Sequence, residues 1–306
     1  MTDNDRQMSL LLDAHRGLPR QGPGDDASTL RALELCADLP MQPEVLDVGC
    51  GPGMQTMALA QATGGTITAV DLFEQFLDDL RDRAVEAGVR ERIQVMRGDM
   101  RDLPFGKHSF DLIWSEGAAY IMGIVNAFQE WKQFLRPQGY IAVTEISWLV
   151  PEAEVPRDAY DFFRAEYPGI TDVPGNLERI AECGYEIVGH FTLPDEAWWT
   201  HYYDPLARNL EAMREKYRLD PQALHLIEAS EAEQRIRREF GECYGYEFIV
   251  ARHVDPDVPL GDASAWPTLR EYVPSTSDAG DDDGVSQDEG IGEILTAPPE
   301  LPRDPD

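Results

Sequence analysis

Lysine is almost missing from this chain, whose 306 residues include only three: Lys107, Lys132 and Lys216. Acidic residues outnumber basic ones by 57 to 26, so the formal net charge is −31. Because binding to nucleic-acid phosphates or to an anionic membrane needs clustered lysines and arginines, we expect neither nucleic acid nor membrane as a partner. The composition also suits a protein that stays hydrated in concentrated salt, where self-repulsion is screened. A halophilic or halotolerant source and an ordinary acidic bacterial protein both stay open.

Cysteines and long apolar runs are also scarce. The four cysteines are scattered, without metal-like spacing: Cys36, Cys50, Cys183 and Cys243. We expect reduced thiols, with neither a disulfide framework nor a metal site. No eighteen consecutive residues are apolar, and residues 1–5 lack the basic-then-apolar layout of a signal peptide. We therefore expect a cytoplasmic protein without a membrane span.

A glycine-rich turn is the most informative stretch that is present. The apolar residues 45–48 run into Gly49, Gly51 and Gly53, and a helix is predicted to follow. Alternating glycines let the backbone turn tightly and let a ligand touch the main chain, while the helix start offers free N–H groups. The spacing is G-x-G-x-G, unlike the G-x-G-x-x-G of dinucleotide folds, and Asp47 lies inside the strand. This pattern predicts a cradle for a nucleotide-like ligand.

Apolar strands and amphipathic helices alternate from residue 45 onwards. The predicted strands are 45–48, 66–70, 93–96, 110–114, 140–146, 185–193 and 246–250, and the predicted helices between them are 54–63, 74–87, 123–135, 157–166 and 177–183. This alternation predicts an α/β fold with a mostly parallel sheet that helices cover on both faces. Ligands of such sheets bind at the carboxyl ends of the strands, so the residues there come first in the search for a site.

Acidic residues follow three of these strands. Asp71 comes after the second strand, where a carboxylate either accepts from both ribose hydroxyls of a bound nucleoside or caps the next helix; we favour the ribose. Asp99 and Met100 follow the third strand, where they can take an adenine amino group and pack on its ring. Glu116 follows the fourth strand and is expected to face the cleft. It can bind a substrate cation, accept a proton or cap the next turn, in that order of preference.

Residues 18–26 are interrupted by prolines and glycines and cannot form regular structure. They are either a linker or a lid over the cofactor site, and we favour a lid that includes Arg20, Gln21 and Gly22 because ligand contacts concentrate on loops. Ser28 or Asp26 is expected to cap the helix that follows, over residues 29–39.

An aromatic block at 194–203 breaks the alternation and is followed by two predicted helices, 206–217 and 221–240, before the last strand. An insertion at this place is a natural cap over the ligand edge, and its rings are candidates for the wall of a substrate pocket. Packing of the cap onto the core is an equal alternative for each ring. Such a wall can also hold a cation.

Five segments together, VLDVGCGPG, VDLF, GDM, FDLIWSEGA and LRPQGY, resemble class I S-adenosylmethionine (SAM) dependent methyltransferases near the ubiquinone/menaquinone-biosynthesis type. RQGPG at 20–24, YIAVTEISW at 140–148 and YGYEFIVAR at 244–252 look like a bacterial group of small-molecule methyltransferases. The resemblance covers about residues 8–253. It implies a Rossmann-like sheet with an antiparallel last strand, a helical cap insertion and SAM as the cofactor.

The resemblance also implies roles for individual residues. Gly49, Gly51 and Gly53 would lie against the methionine part of SAM, and Asp47 would reach its amino group through water. Asp71 would bind the ribose, and Asp99 with Met100 the adenine. We also assign Leu72 and Ser115, which follow the second strand and end the fourth, to the cofactor site. For the substrate we select Tyr120, Trp148, Trp199 and Tyr203, with Glu116 as the catalytic residue.

The sequence therefore predicts methyl transfer to a nitrogen, sulfur or oxygen of a small molecule by in-line displacement. A SAM-binding regulator without catalysis is the alternative, and a nicotinamide dehydrogenase is disfavoured by the glycine spacing. We divide the chain into N-terminal helices and lid loop (1–42), a methyltransferase domain (43–255) with a cap at about 194–241, and an acidic tail (256–306). The tail is predicted to be largely disordered, since residues 271–306 carry eleven acids and one base. A homodimer is a candidate assembly.

Overall fold

The computed structural model describes residues 3–254, so the predicted acidic tail lies outside the described part. One sheet runs through this part, and its strands are β1 Glu44–Val48, β2 Thr66–Asp71, β3 Ile93–Arg97, β4 Phe110–Ser115, β5 Leu135–Trp148, β6 Thr171–Asp172, β7 Tyr185–Thr192 and β8 Tyr244–His253. The helices are α1 Asp3–Ala14, α2 Asp26–Leu35, α3 Met54–Ala62, α4 Glu74–Glu86, α5 Ile124–Trp131, α6 Arg157–Glu166, α7 Val173–Glu182, α8 Glu196–Trp198, α9 Asp204–Lys216 and α10 Pro221–Phe240.

The strand order is β3-β2-β1-β4-β5-β8-β7, with the short β6 paired to β5. Strands β1 to β5 pair in parallel, whereas β8 runs antiparallel to both β5 and β7. The central strand β1 is fully buried from Val45 to Val48, as expected for a parallel strand covered on both faces. The predicted α/β fold, with its mostly parallel sheet and antiparallel last strand, is confirmed.

Strand β5 extends beyond its neighbour β4 at the carboxyl edge. The last pair between them joins Ser115 to Val143, and β6 meets the same side of β5 only at Ser147. Within the described residues, the side of β5 from Thr144 to Ile146 therefore has no strand beside it. The loop after β4 lies there instead, because the Gly117 N–H donates to Thr144 Oγ1 at 2.7 Å.

Three apolar clusters hold these elements together. One lies on each face of the sheet, around Trp114 on one side and around Phe128 and Trp131 on the other. The third joins the end of β5 to the cap and contains Trp148, Trp198, Tyr203, Leu206, Leu210 and Ile227. The cap is formed by α8, a π-helical turn at Trp199–Tyr203, α9 and α10, between β7 and β8. The predicted insertion is thus present.

Helix α1 packs against the cap, whereas α2 packs against α3 and the sheet. Asn209 Nδ2 donates to the carbonyl oxygen of Ala14 at 2.7 Å, and Arg6 pairs with Asp220 at 2.5 Å. Leu10, 1 % exposed, contributes to the cap cluster. The division of the chain at residue 42 stays a prediction. The two helices before it belong to different parts of the fold, because α1 packs against the cap and α2 against α3 and the sheet.

Some predicted boundaries were wrong. Helix α2 begins at Asp26 and ends at Leu35, and its N-cap is Asp25, whose Oδ1 accepts from the Ser28 N–H at 2.6 Å; neither Ser28 nor Asp26 caps it. Strand β5 begins at Leu135 because an irregular pairing with β4 precedes its regular part, with Gln138 in the left-handed region at φ +65°. Strand β8 is longer at both ends than predicted because it pairs with β5 over its whole length from Trp148 to Tyr140.

Candidate active site

The glycine turn after β1 needs glycine at each alternate position. Gly49, Gly51 and Gly53 have φ values of +73°, +52° and +86°. A Cβ on Gly49 would lie 2.4 Å from the Cβ of Ala118, and one on Gly53 would lie 2.2 Å from Leu80 Cδ1. Glycine is therefore required in this turn for two reasons. The backbone is in the left-handed region, and the loop after β4 and helix α4 approach it closely.

Asp47 lies under this turn and is completely buried. Its Oδ2 accepts from Thr56 Oγ1 at 2.5 Å, while its Oδ1 has no hydrogen-bond partner among the described residues. Burial, with the charges of Glu116 and Asp71 adding to it, raises the pKa of Asp47 to about 7. Since buried acceptors are almost always paired, this oxygen fits a donor brought by a ligand or by water, as the amino group of SAM would provide.

Asp71 at the end of β2 is oriented by the main chain. Its Oδ2 accepts from the Gly51 N–H at 2.8 Å and its Oδ1 from the Phe73 N–H at 2.9 Å. The residue that caps α4 is Phe73, so Asp71 does not have the N-cap position that was its alternative. Each carboxylate oxygen has a second lone pair, so a ribose diol can still bind here. The ribose role stays a prediction.

The two residues predicted for the adenine differ in their surroundings. Asp99 forms a bidentate pair with Arg101, whose Nη2 is 2.6 Å from Oδ2, and this pairing lowers the pKa of Asp99. The Met100 side chain reaches the turn: its Cε would lie 3.6 Å from a Cβ on Gly49. Met100 is therefore next to the cradle, while Asp99 already has a cation as partner.

Leu72 and Ser115 contribute main-chain and strand contacts. Ser115 is fully buried, and its hydroxyl donates to the Val48 carbonyl oxygen at 2.9 Å, which joins β4 to β1 at the carboxyl edge. The carbonyl of Leu72, a partly buried residue, accepts from Arg97 Nε at 3.0 Å. Direct contact of either side chain with the cofactor stays a prediction.

Glu116 is held on both of its oxygens by the protein itself. Arg20 Nη1 lies 2.5 Å from its Oε2, and both side chains are 4 % exposed. Its Oε1 accepts from Thr29 Oγ1 at 2.7 Å and from Trp114 Nε1 at 2.9 Å. The predicted cation at Glu116 is thus the chain's own Arg20 in this conformation. Its role as the catalytic residue stays a prediction.

The segment that contains Arg20 lies over the glycine turn. The Cγ of Gln21 is 3.2 Å from the position of a Cβ on Gly51, and the Gly24 N–H donates to the Ala197 carbonyl at 2.9 Å. Gly22 has nothing within 4 Å of a Cβ position. The segment therefore contacts both the cofactor cradle and the cap, and its role as a lid stays a prediction.

Three of the four residues selected for the substrate, Trp148, Trp199 and Tyr203, pack in or against the cap cluster, where the ring centres of Trp199 and Tyr203 are 5.2 Å apart. Trp148 and Tyr203 are 1 % and 0 % exposed, and the Tyr203 hydroxyl donates to Glu233 Oε1 at 2.8 Å. Trp199 donates from Nε1 to Asp195 Oδ2 at 3.0 Å, and Arg238 lies 4.7 Å from its ring centre. Trp199 is therefore partly buried: its ring packs against the cap cluster, and its edge meets charged residues of the cap.

Tyr120 and Tyr203 belong to a group of acids and phenols that the sequence did not predict as a unit. We call it the acidic cluster: Glu145, Glu233, Tyr120, Tyr167, Tyr203 and Tyr246. Its two acids come from different elements, Glu145 from strand β5 and Glu233 from helix α10. Burial raises the pKa of Glu145 and of Glu233 to about 7 each.

A sequence signal existed for one of these acids only. Glu145 is a charged residue inside an apolar strand, which is unusual. Glu233 is one glutamate among several in an acidic helix, and nothing in its spacing distinguishes it from Glu228, Glu231 or Glu239. Only packing shows that its Oε2 is buried without a hydrogen-bond partner.

The acidic cluster and the cofactor cradle meet at the loop 115–118. Ala118 packs on Gly49 at one end of this loop, and a Cβ on Gly117 would lie 3.9 Å from the Tyr246 hydroxyl oxygen. The loop is fixed between the two by the bond from Gly117 to Thr144. A molecule in the acidic cluster would therefore be next to one in the cradle.

Residues 3–254 contain no group of three or more histidines, cysteines, aspartates or glutamates that could hold a metal ion. In the same range, no helix is both long and apolar enough to cross a membrane.

Comparison with known proteins agrees with this geometry. Residues 45–139 match a family described as a methyltransferase domain. The chain is 28 % identical over 246 residues to 27-O-demethylrifamycin SV methyltransferase from Amycolatopsis mediterranei (strain S699), a match that covers 76 % of this chain and 85 % of that protein.

Solved structures share the fold. A SAM-dependent methyltransferase from Thiobacillus denitrificans, in complex with S-adenosyl-L-homocysteine, superposes with a TM-score of 0.67 at 20 % identity, covering 79 % of this chain and 97 % of that one. A structure described as the cyclase SpnF gives a TM-score of 0.62 at 20 % identity, covering 82 % and 93 %.

These findings confirm the class predicted from the sequence. The protein is a SAM-dependent methyltransferase, and its fold is shared with solved structures of such enzymes. Its cofactor is S-adenosyl-L-methionine, for which the glycine turn, the unpartnered oxygen of Asp47 and the oriented carboxylate of Asp71 form a fitting site. The likeness to the ubiquinone-biosynthesis type stays a prediction.

Proposed function

We propose that the protein transfers the methyl group of SAM to a small-molecule acceptor bound between the carboxyl edge of the sheet and the helical cap. The observation that carries this proposal is the shared loop 115–118, which contacts the glycine turn through Ala118 and approaches the acidic cluster through Gly117. An acceptor in the acidic cluster would be next to the methyl donor without any movement of the sheet.

When bound, SAM supplies a methyl group on a positively charged sulfur, so the acceptor needs a lone pair held in line at about 3 to 3.5 Å. The chain itself mainly positions the acceptor and excludes water. The lid covers the glycine turn through Gln21, and the ion pair between Arg20 and Glu116 holds the lid against the end of β4. The cap closes the opposite side through the bond from Gly24 to Ala197.

Three further observations support a small acceptor. The acidic cluster lies under the cap, where several of its atoms are shielded from solvent, which suits a compact molecule more than a polymer. The relative from Amycolatopsis is named for a small-molecule acceptor, 27-O-demethylrifamycin SV. The net charge of −31 also disfavours a nucleic-acid acceptor.

The test is a methyl-transfer assay that measures S-adenosyl-L-homocysteine released from SAM in the presence of small amines, thiols, phenols and alcohols. We expect turnover that depends on the added acceptor. The variant Asp71→Ala should reduce it at limiting SAM, whereas Asp78→Ala, a change at an exposed residue of α4, should not. Binding of SAM without turnover of any acceptor would favour the non-catalytic regulator instead.

A further inference from the structure

We propose that His15 is the general base of the reaction and that the acceptor is a hydroxyl compound, whose proton passes to the Nε2 atom of His15. This inference rests on the proposed methyl transfer and adds a catalytic residue and the class of acceptor. It depends on the hydrogen bonds of the His15 ring, on its burial and on its position between the predicted lid and the cap.

The hydrogen bonds of the His15 ring fix its tautomer. Its Nδ1 lies 2.9 Å from the main-chain oxygen of Leu11, one turn earlier in α1. A carbonyl oxygen only accepts, so Nδ1 carries the proton and Nε2 keeps a lone pair. Within residues 3–254, nothing donates a hydrogen bond to this Nε2 atom. It is therefore available to accept a proton from a bound molecule.

Burial keeps the same ring neutral. His15 is 9 % exposed, and this burial lowers its pKa from the usual value of 6.5, while the bond to Leu11 acts in the opposite direction. The charged groups of the surrounding segments pair among themselves or with the main chain: Asp13, Arg16, Lys216 and Arg83. At neutral pH the ring is thus uncharged and able to act as a base.

The main chain of His15 contacts the predicted lid. Gln21 Nε2 donates to the His15 carbonyl oxygen at 3.4 Å. The Cγ atom of the same Gln21 lies 3.2 Å from the position of a Cβ on Gly51. One side chain therefore spans the distance from His15 to the glycine turn, beside which the methyl donor binds.

The ring of His15 packs on the cap. It stacks on Tyr202 with ring centres 6.1 Å apart and planes 29° from parallel. Burial, with the charge of Glu233 adding to it, raises the pKa of Tyr202, so this phenol stays protonated. The ring centre of Tyr202 is 5.0 Å from that of Tyr203, a member of the acidic cluster. His15 thus borders the space that the proposed function assigns to the acceptor, on the side of the lid and on that of the cap.

The carboxylates at this edge of the sheet are less suited to the same task. Glu116 accepts hydrogen bonds from three side chains, on both of its oxygens. Asp47 lies under the glycine turn and belongs to the cofactor site. Burial raises the pKa of Glu145 and of Glu233 to about 7, so a large part of each is protonated at neutral pH, whereas His15 is not.

A base is needed when the acceptor is a hydroxyl, because its oxygen becomes a strong nucleophile only as the proton leaves. The hydroxyl proton passes to His15 Nε2, and the oxygen bonds to the methyl carbon. The carbon–sulfur bond breaks, and its electron pair stays on sulfur. The products are a methyl ether, S-adenosyl-L-homocysteine and a protonated His15, which releases its proton to solvent. The positive charge of the sulfonium therefore ends on the imidazole.

The first test observes the ring by nitrogen NMR of the full-length protein with isotope-labelled histidine, saturated with S-adenosyl-L-homocysteine. The His15 signals are those that the variant His15→Phe lacks. We expect a proton on Nδ1 and a shift of the Nε2 signal with phenol or benzyl alcohol, but none with anisole or benzyl methyl ether, which have no hydroxyl proton. A proton on Nε2, no response to either hydroxyl compound, or an equal response to the ethers would overturn the inference.

The second test measures turnover of hydroxyl acceptors. His15→Phe keeps a ring to stack on Tyr202 and removes the base, so turnover should fall by roughly 10²-fold or more, as expected for a lost general base. The affinity for S-adenosyl-L-homocysteine and the midpoint of thermal unfolding should stay unchanged. His225→Phe, at an exposed position of α10, is the matched control and should change none of the three. Losses of cofactor affinity and turnover by the same factor would show that His15 has only a structural role.

The pH dependence separates proton transfer from packing. Protonated His15 cannot accept, so the turnover of the natural protein should fall on the acid side with an apparent pKa below 6.5. His15→Ala should lose this acid limb and regain turnover when imidazole is added. An acid limb that persists in His15→Ala and disappears in Glu116→Gln would assign the base to Glu116 instead.

These outcomes are distinguishable from those of the proposed function. Methylation of amines or thiols without methylation of any phenol or alcohol would overturn the hydroxyl class and leave methyl transfer standing. If no acceptor is methylated, the methyl transfer fails, and the NMR response to phenol and benzyl alcohol still decides whether His15 binds a hydroxyl.

Discussion

The cofactor cradle and the acidic cluster are neighbours that are built in opposite ways. The cradle is local: Asp47 and the three glycines lie within seven consecutive residues, and Asp71 ends the next strand. The cluster joins the segment after β4, strands β5 and β8, the residue that follows α6, the π-helical turn at Trp199–Tyr203 and helix α10, over residues 120–246. The comparison shows that a site made by backbone conformation can be identified from a short motif, whereas one made by side chains from many elements depends on tertiary packing.

The largest expected effect concerns the ion pair that joins the lid to the sheet. Arg20→Ala leaves Glu116 buried without its cation, and breaking a buried pair in this way costs about 3–5 kcal/mol of unfolding free energy. The double variant Arg20→Met with Glu116→Gln should recover most of that loss. Urea denaturation of the single and double variants measures this coupling. Additive losses in the two single variants would show that the pair does not hold the lid.

A substitution in the cradle tests whether its backbone is as restricted as the contacts imply. Gly49→Ala meets the Cβ of Ala118 and also places a side chain at φ +73°, so we expect a loss of about 2–4 kcal/mol from crowding and left-handed strain. Adding Ala118→Gly removes the crowding and should restore about half of the lost unfolding free energy. Thermal unfolding with and without SAM gives both effects. A fully stable Gly49→Ala would mean that the loop after β4 moves freely.

The ribose role of Asp71 is tested by affinity. Asp71→Ala should weaken SAM binding by roughly 10²-fold, since it removes hydrogen bonds to a charged acceptor worth about 1.5–3 kcal/mol. Circular dichroism must show a retained fold, because the same carboxylate also accepts from the main chain of Gly51 and Phe73. Unchanged affinity in a folded variant would reassign the residue. Asp78→Ala serves as the control.

The smallest effect concerns pH and the acidic cluster. Glu233 has a folded-state pKa raised to about 7 from an ordinary value of 4.5, so above about pH 4.5 the unfolded chain ionises first and stability falls until about pH 7. Glu233→Gln removes this penalty and should gain about 1–3 kcal/mol at pH 8 relative to pH 4.5, in the absence of ligand. Denaturation at both pH values measures this gain in stability, with Glu239→Gln as the control. An equal gain in both variants would contradict burial as the cause.

Much of the fold was predictable, because apolar strands that alternate with amphipathic helices have few ways to bury both faces of a sheet. The exceptions lay at element ends. Asp25, and not its neighbours, caps α2, and β5 starts five residues early through an irregular stretch at Gln138. Such ends depend on individual hydrogen bonds and on pairing with a distant strand, which periodicity does not encode.

The prediction of the site divides in the same way. The glycine turn has the backbone that the motif predicts, whereas the pairing of Glu116 with Arg20, a residue 96 positions earlier, was not predicted. Trp199 and Tyr203, chosen from one aromatic block, have ring centres 5.2 Å apart, but Tyr203 is fully buried whereas Trp199 is partly exposed. Neighbouring residues of a helical turn face different directions, and composition cannot say which one faces inward.

The sequence by itself determined the α/β fold, the G-x-G-x-G turn and the SAM-dependent class, since each depends on short-range backbone geometry and on periodic burial. Only the tertiary structure decided which acidic side chains are desolvated. It buried Glu145 and Glu233 with free oxygens and gave Glu116 a cation. The physical reason is that desolvation and charge pairing depend on what lies within a few ångströms in space, and the residues concerned are far apart along the chain.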